Sequence, residues 1–146
     1  MAAERRAEVV WEGDLLRGSG RFTVGSGAFG EMPVTWASRT ESPDGKTSPE
    51  ELIAAAHASC FAMALSFVLG EGGNPPERLE IGATSTFEEA DGGFRISRMQ
   101  LDVRGRVPGL DEEGFRSAVE QAEQGCPVSN ALRGNVDISV SARLEG

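Results

Sequence analysis

Cysteine and histidine are scarce in this chain of 146 residues, which holds two of the first and one of the second. Two cysteines are too few to staple a small secreted scaffold, and a chain of this length buries a core without staples. A single histidine and the lack of any Cys-x-x-Cys spacing exclude zinc, so no metal is expected. Basic residues are in deficit as well. Fourteen Lys and Arg against 23 Asp and Glu leave a net charge of −9, with no basic cluster to meet phosphates, so a general nucleic-acid binder is excluded. The opening MAAERRAEVV has no apolar run of signal-peptide length, and the expectation is a cytoplasmic protein. In that reducing compartment a functional cysteine pair is more often redox-active than structural.

What is present suits a soluble globular protein: 39% hydrophobic and 25% charged residues. There is no internal repeat and no low-complexity tract, and the 19 glycines are scattered at turns. One domain spanning residues 1–146 is therefore expected.

Short strands are predicted over AEVVWEG (7–13), GRFTVGS (20–26) and MPVTWAS (32–38). A loop with Pro43, Asp44 and Gly45 follows. Ser48 then has the features of an N-cap, with Pro49 as first helical residue and Glu50 and Glu51 in the first turn. Ser48 and Glu51 also have capping-box spacing. The run LIAAAHASCFAMALSFVL (52–69) is marginally long for a bilayer, is rich in Ala, and follows two glutamates without basic anchors. It is read as a helix buried on nearly all sides in a soluble protein, and no membrane association is expected.

GEGGNPP (70–76) stops that helix. LEIGATSTFEE (79–89) and GFRISRMQLDVRGRV (93–107) form two strands joined at Asp91-Gly92-Gly93, and the apolar parity changes between Ile96 and Met99, which predicts a bulge near Ser97. Asp111 caps a helix with Phe115, Ala118, Val119 and Ala122 on one stripe, and Gly125 is its expected stop. Pro127 opens a short helix to about Arg133. NVDISVSARL alternates without error as a last strand. The order βββ-α-ββ-αα-β is α+β.

Residue chemistry alone leaves several readings open. Cys126 stands at an N-cap position, where backbone N–H groups favour a thiolate, but taken alone it is better read as a small residue filling a packed corner. Cys60, among Ala, Phe and Met in mid-helix, has the surroundings of an inert core thiol. His57 lies on the same helical face as Cys60. The two could form a nucleophile–base dyad for acyl transfer, or His57 could be a satisfied interior or interface histidine.

The stretches TSPEELIAAAHASCFAMALS (47–66) and GCPVSNAL (125–132) resemble the two cysteine motifs of the osmotically inducible protein C / organic hydroperoxide resistance (OsmC/Ohr) family. WEGDLLRGSG, LGEGG, VPGLDEEGF and the histidine at position 57 are similar to the OsmC branch, and the resemblance spans nearly the whole chain. It implies an OsmC-like α+β fold in an intertwined two-fold dimer, and a cytoplasmic stress-response peroxidase that reduces organic hydroperoxides without bound cofactor. It further implies Cys60 as peroxidatic thiol, Cys126 as resolving thiol, Arg39 as the activating cation and Glu50 as its orienting carboxylate. Arg17 and Arg21 match the more N-terminal arginine of the Ohr branch and are secondary candidates.

The reductant implied is a small dithiol or a lipoyl-bearing protein. A thiol redox sensor or small-molecule-binding stress protein is the alternative on the same scaffold. Ten residues of helix separate Glu50 from Cys60 by about 15 Å. A dimer that pairs two such helices antiparallel would set Glu50 of one chain beside Cys60 of the other, so shared active sites are expected.

Overall fold

A computed structural model describes residues 1–145. The elements are β1 (Ala7–Glu12), β2 (Ser19–Val24), β3 (Met32–Val34), α1 (Trp36–Thr40), α2 (Pro49–Glu71), β4 (Arg78–Ala90), β5 (Gly93–Arg106), α3 (Glu112–Gly125), α4 (Pro127–Leu132) and β6 (Asp137–Leu144). This is the expected α+β order with one helix added. The chain divides into two compact units, Met1–Leu52 and Ile53–Gly146.

In the first unit β1, β2 and β3 form an antiparallel sheet in sequence order. The third predicted strand is too long by its second half. Trp36, Ala37 and Ser38 belong to α1 instead, because Thr35 and Ser38 cap each other reciprocally: Ser38 N–H donates to Thr35 Oγ1 and Thr35 N–H to Ser38 Oγ, both at 3.0 Å. Two satisfied backbone donors outweigh the strand preference of Val34, Thr35 and Trp36. Ser38 Oγ also donates to the Thr47 carbonyl at 3.1 Å, and Val34 bridges Thr47 in parallel. These contacts fold the 41–47 loop back against α1.

α2 starts as predicted, with Glu51 N–H donating to Ser48 Oγ at 3.2 Å. The reciprocal half of the expected capping box differs. The Glu51 carboxylate accepts from the Thr47 hydroxyl at 2.7 Å. α2 is long and apolar enough to cross a membrane by length and composition alone. Within one chain its burial is one-sided. His57, Phe61, Leu65 and Leu69 are buried at a spacing of four, whereas Met63 is 73% and Phe67 68% exposed. A helix apolar all round thus has one face seated in its own chain and another left open.

In the second unit the sheet order is β4-β5-β6, with β4 antiparallel and β6 parallel to β5. The parallel pairing requires a crossover, and α3 and α4 supply it. The predicted bulge is present: Thr86 pairs with Arg98 and Phe87 with Ile96, leaving Ser97 as the extra residue. Met99, Leu101 and Val103 of β5 are buried, and Leu101 and Val103 pack in one core with Phe61, Leu65 and Leu69 of α2 and the Phe115 stripe of α3. Gly105 admits the Phe115 ring, since a Cβ there would lie 2.6 Å from two ring carbons.

α3 begins at the predicted cap, where Gly114 N–H donates to Asp111 Oδ1 at 2.8 Å. Its end differs from expectation. Gly125 stays helical, and Cys126 is the residue that leaves the helix, with φ −71° and ψ 115°. Proline disfavours helical backbone in the residue before it, so Pro127 rather than Gly125 ends α3. The same residue opens α4, and Cys126 caps both helices.

Candidate active site

Arg39 and Glu50 meet in the first unit. Arg39 Nε donates to Glu50 Oε1 at 3.0 Å and Nη2 to Oε2 at 2.9 Å. The carboxylate is almost fully buried and the guanidinium about a third exposed. A two-bond fork of this kind fixes the guanidinium plane as well as its position. Arg39 Cζ also lies 5.9 Å from the Trp36 ring centroid. α1 places Arg39 and the first turn of α2 places Glu50, so the loop between these helices closes on a buried ion pair.

The two N-terminal arginines have other surroundings. Arg21, on β2, pairs with Glu12 at 3.0 Å and lies 3.6 Å from Glu31. Arg17 is exposed in the turn after β1, its backbone N–H donating to Asp14 Oδ1 at 2.7 Å.

The second unit brings both cysteines together. Cys126 is fully buried at the α3–α4 joint, and Cys60 is partly buried on α2; both are free thiols. Burial pushes the Cys60 thiol above its ordinary pKa, the Val128 backbone N–H bonded to it pulls the other way, and contact with the Cys126 thiol raises it further. The Ser129 N–H points at Cys126 Sγ at 3.5 Å, within the longer reach of a hydrogen bond to sulfur. A thiol whose pKa is raised needs an added positive charge before it becomes a nucleophile.

His57 does not serve Cys60. Its Nε2 is 2.7 Å from Ser129 Oγ, and its Nδ1 is buried without a hydrogen-bond partner. Burial lowers its pKa, with Glu123 opposing. His57 and Ser129 have the contact of a base and a nucleophile, but both are wholly buried, and a substrate cannot reach them. Ser129 is the residue that sequence reasoning missed. Its one signal was its place three residues after a capping cysteine.

An α+β chain that seats one thiol on a long apolar helix, against a second thiol at a helix joint, defines the class. The chain belongs to the OsmC-like protein family, whose model matches residues 42–141. It is 38% identical over 138 residues to peroxiredoxin OsmC of Escherichia coli (strain K12), covering 94% of this chain and 96% of that one. It is 35% identical over 96 residues to the organic hydroperoxide resistance protein of Xanthomonas axonopodis pv. citri (strain 306), covering 65% and 66%. The crystal structure of the organic hydroperoxide resistance protein OhrB of Bacillus subtilis superposes with a TM-score of 0.76 at 30% identity, over 94% of this chain and 98% of that one.

Proposed function

We propose that the protein is a cysteine-based peroxidase that reduces organic hydroperoxides to alcohols. The observation that carries this reading is the contact between Cys60 and Cys126, two thiols far apart in sequence and adjacent in the core. Relatives named peroxiredoxin and organic hydroperoxide resistance protein support the reaction class.

The Cys60 thiolate attacks the outer oxygen of the hydroperoxide. The O–O bond breaks, the alkoxide leaves and takes a proton to become the alcohol, and Cys60 is left as a sulfenic acid. Cys126 sulfur then attacks Cys60 sulfur, forming the disulfide and releasing the hydroxyl as water. A dithiol, free or lipoyl-borne, restores both thiols by exchange.

Arg39 supplies the charge that Cys60 lacks, and Glu50 aims it. A second copy of the chain completes the site. Leu52, Ala56, Ser59, Met63, Ser66 and Gly70 are all exposed on α2 at alternating spacings of four and three, the repeat that lets two helices interlock. With the helices antiparallel, the Arg39–Glu50 fork of one copy faces Cys60 of the other, and the chain works as one domain of a two-fold dimer.

Mass spectrometry after one equivalent of cumene hydroperoxide tests the reading. A Cys60–Cys126 disulfide is expected. A stable sulfinic acid at Cys60 with Cys126 untouched removes the resolving role, and a single oxidation that dithiothreitol does not turn into repeated consumption points to a sensor.

A further inference from the structure

One polar pair beside the two thiols takes part in none of these steps. His57 stands one turn before Cys60 on α2, and Ser129 one turn after Cys126. Their 2.7 Å contact joins the helix that carries one cysteine to the helix that the other cysteine caps. Both side chains are wholly buried, and the second ring nitrogen of His57 has no hydrogen-bond partner. Buried N–H groups without a partner are rarer in folded proteins than buried acceptors with a spare lone pair. A neutral imidazole with its proton on Nε2, donated to Ser129 Oγ, is the form that meets this condition. Ser129 in turn directs its backbone N–H at Cys126 Sγ. An apolar side chain would fill the same space with no polar atom to desolvate. What the imidazole adds is a fixed direction between α2 and α4.

We infer that His57 is a positioning residue for disulfide closure: through Ser129 it holds α4 on α2, so that Cys126 meets an oxidised Cys60 in line. The inference rests on the peroxidase reading above. It matters at one branch point. The Cys60 sulfenic acid either condenses with Cys126, with an S–S bond formed, an S–O bond broken and water released, or is oxidised by a second hydroperoxide to sulfinic acid with release of a second alcohol. Alignment favours the first branch.

Rapid-quench mass spectrometry on the full chain, with cumene hydroperoxide as probe and dimedone to trap sulfenic acid, separates the two steps. In His57→Leu and Ser129→Ala, closure of the Cys60–Cys126 disulfide should slow about tenfold, the effect of one hydrogen bond. The rate of sulfenic acid formation should not change, and sulfinic acid should accumulate under excess hydroperoxide. His57→Gln, whose amide N–H can take the place of Nε2–H, should restore closure, which a residue that merely fills space would not predict.

Closure at the wild-type rate in both variants overturns the inference, as does a Gln variant no faster than Leu. If His57→Leu does not fold, Ser129→Ala decides, because it removes a single hydroxyl. A wild-type protein that forms sulfenic acid but never the disulfide overturns the resolving role of Cys126, and this inference with it. A normal wild-type disulfide with unaffected variants overturns the inference alone.

Discussion

The guanidinium of Arg39 is clamped to the carboxylate of Glu50 by two parallel hydrogen bonds of 3.0 and 2.9 Å. A lysine cannot reproduce that fork, because its ammonium is a point charge without a plane. Arg39→Lys should therefore cut hydroperoxide turnover by about two orders of magnitude, the usual cost of losing an oriented donor at a reacting oxygen. Glu50→Gln keeps the shape and loses the charge, so a smaller loss is expected. Steady-state assays with dithiothreitol as reductant check both. Equal activity in Arg39→Lys and wild type would remove Arg39 from the site.

Met63 is open to solvent within one chain, so replacing it should spare the fold of that chain. Met63→Arg places a charge on the exposed seam of α2. The expected result is a folded monomer by analytical ultracentrifugation, with peroxidase activity lost. A fully active monomer contradicts the shared site.

The lowered pKa of His57 has a consequence for stability. Above the unfolded value of about 6.5 both states are neutral and stability is complete. As the pH falls through that value the unfolded chain takes up a proton first, so stability drops until the folded-state value is passed. Glu123 acts in the opposite sense and softens the drop. Urea midpoints should fall between about pH 7.5 and 5.5 in the wild type, and this component should be missing in His57→Gln.

Gly105 leaves room for the Phe115 ring. Gly105→Ala should destabilise the protein by about 1–3 kcal/mol through overpacking. The same change in a Phe115→Leu background should cost clearly less, since the atoms it strikes are gone. Denaturant unfolding of the four proteins measures the coupling, and strict additivity would mean that the ring is not what the new methyl meets.

Most of the architecture was legible because local signals agreed with one another. Ser48-Pro49-Glu50 announces a helix by cap, ring and charge at once, and the parity change after Ile96 announces an extra residue in a strand. α1 was hidden, because its five residues are held by a reciprocal Thr35–Ser38 pair whose chemistry outweighs a strand-like composition. The end of α3 is set by Pro127 rather than Gly125, because the constraint that proline imposes on the residue before it outweighs the freedom of a glycine.

At the site, Cys60 and Cys126 each looked bland, because a thiol pair is a fact of tertiary structure. Ser129 carries only its spacing from Cys126 in the sequence, and nothing in positions 57 and 129 shows that they touch. The open face of α2 is hard to tell from the buried one in the sequence, because Leu52, Ala56 and Met63 on the open side are as apolar as Phe61 and Leu65 on the buried side.

The bulge at Ser97 sets the phase of the whole β4–β5 hairpin. With that residue set aside, Phe94, Ile96, Met99, Leu101, Val103 and Gly105 fall on one face of the β4–β5 ribbon, and Phe87 stacks on Phe94 on that same face, with ring centroids 5.2 Å apart. Ser97 thus works as a phase corrector. Residues in the outer half of the hairpin can be exchanged for others of like character with little effect on the inner half. Removing the single residue Ser97 would turn one half of the ribbon over relative to the other, so this hairpin is more sensitive to the count of its residues than to their identity.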